Sequence, residues 1–133
     1  MEAKEIEAIQ KPILEAIEKL HAPLAAIALL KMADEFYTKE ERAALYAEHQ
    51  ALIDADVAAY HHLQEAGPQD KLSWEQRVEQ FGETVANEQY APKKDAMEAK
   101  QAASRRVGEF EREHRLIVRL AGAKATLGKG KYE

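Results

Sequence analysis

The chain has 133 residues, a net charge of −5, 46% hydrophobic and 32% charged residues, and no cysteine. That length suits a single domain with its own core, and the lack of cysteine excludes disulfides, thiolate catalysis and thiolate metal sites. The uncharged stretch His21–Leu30 is far too short for the ~20 apolar residues of a membrane span, and the charged start Met1-Glu2-Ala3-Lys4-Glu5 does not read as a signal peptide. The expectation is a soluble, cytoplasmic protein without membrane contact.

The first apolar pattern is Ile6, Ile9, Ile13, Ile17, Leu20, Leu24 and Ile27. Steps of three and four keep these residues on one helical face. Ile6, Ile13, Leu20 and Ile27 are each seven apart, the spacing of a coiled-coil seam. Pro12 and Pro23 interrupt the pattern, and proline removes a backbone donor and clashes with the preceding turn. A short first helix and one or two more, kinked or broken near the prolines, are predicted to reach Phe36. Thr38-Lys39-Glu40-Glu41 has the form of a capping box. It opens a helix whose inner face is predicted to carry Leu45, Tyr46, Ile53, Val57, Tyr60 and Leu63. Gly67-Pro68 ends that helix. Ser73-Trp74-Glu75-Gln76 is a second capping box, and the helix it starts should bury Trp74, Val78, Phe81 and Val85 as far as a stop or kink at Pro92. A last helix from about Pro92 to Ala121 carries Met97, Ala103, Val107, Phe110, Ile117 and Ala121, with Gly122 as its cap. No stretch alternates with the period of a strand. The fold class is all-α, a bundle of about four helices with proline kinks or breaks in its first and last regions. Residues 1–122 form the domain, and 123–133 are a basic, flexible tail.

Charge is unevenly spread. Residues 1–92 hold 8 basic and 18 acidic side chains, a balance of −10, whereas 93–133 hold 11 and 6, a balance of +5. Arg105, Arg112 and Arg119, seven apart and with Arg115 beside them, form a basic ribbon on the last helix. Interleaved Glu109, Glu111 and Glu113, an acidic whole and no stacking aromatic argue for a protein-facing ribbon over a nucleic-acid one.

Five histidines carry what site chemistry the sequence offers. Glu18–His21 and Glu111–His114 have the Glu-x-x-His spacing with which ferritin-like bundles hold two metal ions. Glutamate is common enough to produce such a pair by chance, and both glutamates project to the edges of their apolar stripes. His61 and Glu65 have the His-x-x-x-Glu spacing of hemerythrin-like carriers, but after residue 62 only His114 remains to supply further imidazoles. No metal or cofactor is expected. His49 and Asp56 fall inside the apolar stripe of their helix with Ile53 and Tyr60, and His114 falls between Phe110 and Ile117. Buried ionisable groups are costly unless paired, so these three residues are a candidate polar centre. It is read first as a layer that fixes helix register. No nucleophile accompanies it, since Ser73 and Thr38 are caps and Ser104 stands alone.

These patterns point to a non-enzymatic helical protein that binds another protein or itself: an inhibitor, regulator or assembly component. Its interaction surface is expected at Ile6, Ile13, Leu20 and Ile27, giving a homodimer, and along the arginine ribbon. A ligand- or metal-binding bundle centred on His49, Asp56 and His114 is the alternative, and a basic-helix nucleic-acid binder the third.

Overall fold

The computed structural model describes residues 2–127, and all of its regular structure is helical. Six helices follow in chain order: α1 (Ala3–Glu18), α2 (Ala22–Phe36), α3 (Lys39–Glu65), α4 (Trp74–Phe81), α5 (Glu83–Glu113) and α6 (Arg115–Leu127). The expectation of about four helices undercounts because two of the breaks, at Gly82 and His114, fall where none was expected, whereas the break at residues 19–21 lies beside Pro23, near which one was expected.

The first break lies at residues 19–21, where Lys19 and Leu20 close the last turn of α1 by bonding back to Ala16 and Ile17. Pro23 then sits in the first turn of α2, where a missing N–H has no helical partner to lose. Pro12, expected to kink or break the chain, lies inside α1, and Pro92 inside α5. Both rings are exposed, as are Ala8 and Glu88, whose carbonyls the prolines deprive of a donor. Water can satisfy a solvent-facing carbonyl, so a proline on the outer side of a helix bends it without ending it. The second break is Gly82, whose φ of 86° and ψ of 158° end α4 after two turns. The third is His114, a single residue between α5 and α6. Gly122, expected as a cap, lies within α6.

Both capping boxes form. Glu41 N donates to Thr38 Oγ1 and Thr38 N to Glu41 Oε1, each at 3.1 Å. Gln76 N donates to Ser73 Oγ at 3.1 Å and Ser73 N to Gln76 Oε1 at 2.9 Å. Each box satisfies two of the donors that a helix N-terminus leaves open.

The helices contribute to two compact units, one from residues up to Gln50 with those from Gly108 on, the other Ala51–Val107. In the first unit α2 packs chiefly on α6, and α1 lies against both. Its core joins Leu14 and Ile17 of α1, Ala26, Leu29, Met32 and Ala33 of α2, Tyr37, and Leu116, Ile117, Leu120 and Ala123 of α6. Complete burial of a leucine or isoleucine contributes about 1.5–3 kcal/mol, and Leu116, Ile117 and Leu120 are all essentially inaccessible. Of the last helix's expected stripe, Met97 and Ala121 are exposed, and Leu116 and Leu120 take the interior with Ile117. The break at His114 starts a new helix and resets which face points inward. Ala123 is buried in α6, so helical order continues into the expected tail; residues 128–133 of that tail lie outside the described residues.

The second unit is built differently. Its buried apolar residues are the alanines Ala66, Ala86, Ala96 and Ala103. Trp74, Phe81 and Val85, expected inside, are exposed, as are Val57 and Tyr60 of α3. The interior position of α4 belongs instead to Arg77, which is 2% exposed.

Candidate functional site

The three residues of the expected polar centre have separate partners. In the first unit, His49 Nε2 lies 3.1 Å from Glu111 Oε1. Its ring stacks on Phe110 with centroids 5.1 Å apart and planes within 8°. His114 meets the same phenyl ring at 4.5 Å, tilted by 43°. Phe110 thus contacts both imidazoles, and Glu111, not Asp56, orients His49. His49 on α3 and His114 between α5 and α6 are part-buried, and His61 and His62 are exposed on α3.

Asp56 belongs to a cluster in the second unit. Lys100 Nζ donates to Asp56 Oδ1 at 2.8 Å and to Ser104 Oγ at 2.7 Å, and Ser104 Oγ donates to Asp56 Oδ1 at 2.8 Å. Lys100 and Ser104 are one helical turn apart on α5, so both reach α3 from one face. These hydrogen bonds hold the Asp56 carboxyl below its ordinary range. Ser104, which looks isolated in sequence, therefore has a lysine and an aspartate beside it. The arrangement restrains the serine. Lys100 and Asp56 both bond its hydroxyl, which ties Ser104 into the contact between α3 and α5.

A second polar cluster was not anticipated from sequence. Arg77 pairs with Asp70 and donates from Nη1 to Gln89 Oε1 at 2.6 Å. Its guanidinium lies 5.9 Å from the Phe81 ring centroid and 5.7 Å from that of Tyr90. Trp74 meets Tyr90 edge-on at 5.4 Å. The Arg77 ion pair and a backbone donor from Leu72 lower the Asp70 carboxyl. Arg77 Nε is buried and has no hydrogen-bond partner among the described residues. The signal available in sequence was Arg77 itself, which lies between Trp74 and Phe81 in the stretch read as an apolar stripe.

The expected interaction residues divide by helix. Ile6 is part-buried against the core, Ile13 and Leu20 are exposed, and Ile27 is exposed on α2. The break at residues 19–21 takes Ile27 off the seam, so the four residues do not form one stripe. What remains on α1 is a ribbon of Ile6, Ile9, Ile13 and Ala16 running to Leu20. It lies beside the buried row of Gln10, Leu14 and Ile17, in which Gln10 Nε2 donates to the Tyr37 hydroxyl at 3.1 Å. Burial raises the pKa of that hydroxyl, and the hydrogen bond from Gln10 partly opposes the rise.

The arginine ribbon is likewise not one helical face, because Arg105 and Arg112 lie on α5 and Arg115 and Arg119 on α6. Arg105 and Arg112 are exposed and Arg115 is part-buried. Arg119 turns inward. It pairs with Glu18 and lies 3.5 Å from the Leu14 carbonyl, tying α6 to α1.

Two cavities line the first unit. One of about 320 Å³ is bounded by Ile6, Tyr37, Glu41, Leu45, Glu113 and His114, among others. One of about 480 Å³ is bounded by Ile17, Glu18, Ala22, Leu29, Arg119 and Ala123, among others. Among the described residues no three His, Cys, Asp or Glu side chains converge as metal ligands, and no helix is long and apolar enough to cross a membrane. No family model, curated protein or solved structure matches the chain.

Proposed function

We propose that this protein acts without chemistry of its own, through self-assembly, and that α1 is the assembling surface. The observation that carries this reading is the α1 ribbon: Ile9 is 44% and Ile13 41% exposed on the same helix that buries Gln10, Leu14 and Ile17. The helix has a core-facing row and, beside it, a second apolar row that packs on the core at Ile6 and is exposed at Ile9 and Ile13. Isolated surface isoleucines need no explanation, but a row at coiled-coil spacing favours a partner. A 16-residue helix is about 24 Å long. A contact along it belongs with the small, reversible interfaces of under ~1,200 Å². The arrangement of the polar clusters supports a non-catalytic reading, since Asp56 and Arg77 are occupied in tying helices together. The inward pairing of Arg119 argues against a phosphate-gripping ribbon, and the cysteine-free sequence fits a reducing cytoplasm.

Ile9→Asp with Ile13→Asp tests the reading. Both side chains stand at the surface of the single chain, so the double variant should keep the wild-type circular dichroism and melting temperature. In sedimentation equilibrium at roughly 100 µM, above the Kd of a complex worth about 6–8 kcal/mol, the wild type should be a dimer and the variant a monomer. A monomeric wild type overturns the reading.

A further inference from the structure

We infer that two copies of this chain pair through α1 in antiparallel orientation, with Glu5 of each copy facing Lys19 of the other. This rests on the self-assembly reading above and adds its geometry. In heptad terms Ile6 and Ile13 occupy a positions and Ile9 and Ala16 occupy d positions of α1, and Leu20 lies in the break beyond its C-cap Lys19. The e positions, Gln10 and Ile17, are buried in the chain's own core at 2% and 7% exposure. The g positions are Glu5, Pro12 and Lys19, all exposed, and no ion pair within the described residues engages Glu5 or Lys19.

That division separates the two possible orientations. In a parallel pair, g residues face the partner's e residues. Glu5 and Lys19 would then meet buried, uncharged rows and gain nothing. In an antiparallel pair, a layers pack on d layers and g faces g. The a–d register that sets Ile9 on the second copy's Ile13, and Ile6 on its Ala16, brings Pro12 to its counterpart near the two-fold axis. The same register sets Glu5 opposite Lys19 at both ends. One alignment therefore satisfies the apolar layers and both charges together, and the contact is self-complementary, as a two-fold dimer requires.

The absence of cysteine makes cross-linking a direct test. Glu5→Cys and Lys19→Cys are prepared singly in the full chain and treated with a short bis-maleimide. An equimolar mixture should give a covalent dimer on a denaturing gel, and neither variant alone should. Self-linking of Glu5→Cys would show a parallel pair and overturn the register while leaving self-assembly standing. Charge reversal gives a second measurement. Glu5→Lys and Lys19→Glu should each weaken dimerisation roughly tenfold, as two surface ion pairs become repulsive. Mixed one to one, they should recover wild-type affinity as a heterodimer. Unchanged affinity in both single variants would also overturn the register, and a monomeric wild type would overturn both it and the function it rests on.

Discussion

At the scale of single residues, charge does structural work in the second unit that apolar side chains do in the first. Asp56 binds Lys100 and Ser104, and Asp70 binds Arg77. Both carboxyls are held below their ordinary range, first of all by the hydrogen bonds they accept. A carboxyl whose folded pKa is depressed contributes stability that is fully present above its unfolded value of about 3.9 and is lost as pH falls through the folded value. The protein should therefore lose urea resistance below about pH 4, as these carboxylates take up protons. Asp56→Asn and Asp70→Asn should each lower the urea midpoint at pH 7 and flatten its further fall on acidification. A midpoint in both variants that falls with acid as steeply as in the wild type would remove these carboxylates from the account. Neither cluster was legible from spacing alone. Asp56 stood out because it interrupts an apolar stripe, but its partners are 44 and 48 residues away, a distance that one helix's periodicity does not carry.

At the scale of elements, the sequence was most legible where local chemistry decides the outcome. The boxes at Thr38 and Ser73 form as read because each is closed by residues three apart, whatever the rest of the chain does. It was least legible at Pro12, Pro92 and Gly82. Pro12 and Pro92 do not end their helices because they face water. Gly82 does end α4, and it gave little warning, since no proline accompanies it and the next proline is Pro92. Its backbone is in a region that only glycine occupies readily. A β-carbon there would meet nothing within 4 Å, so substitution carries conformational strain without a clash. Gly82→Ala should then cost about 1–3 kcal/mol in chemical denaturation. A cost near zero would mean that α4 and α5 can join when the glycine is removed. The break at Gly82 accounts for Val85, which lies beyond it, but not for Trp74 and Phe81, which keep the same relative positions within α4; α4 is turned so that Arg77 faces inward, and Phe81 and Tyr90 flank its guanidinium.

At the scale of the molecule, the two units differ in what they bury, and stability should differ with it. The first encloses Leu14, Ile17, Leu29, Met32, Tyr37, Leu116, Ile117 and Leu120. The second encloses four alanines and one arginine and leaves Trp74, Phe81, Val85 and Met97 at its surface. Alanine lets helices approach closely but removes little apolar area from water, and burial of that area is the dominant favourable term in folding. A buried arginine contributes little net stability, because its ion pair must first offset the loss of hydration. Local opening should therefore be cheapest in α4 and the 83–107 part of α5, and costliest in α2 and the first turns of α6. Native-state hydrogen exchange should find the slowest amides at Leu29–Ala33 and Val118–Leu120, and markedly faster ones from Trp74 to Val107. Leu116→Ala should cost about 2–5 kcal/mol, the range for a large-to-small change in a packed core, and should speed exchange throughout α2, whose buried face meets α6. Equal protection in both regions would show that the alanine contacts and ion pairs of the second unit match a leucine core in strength, contrary to the energetics on which this contrast rests.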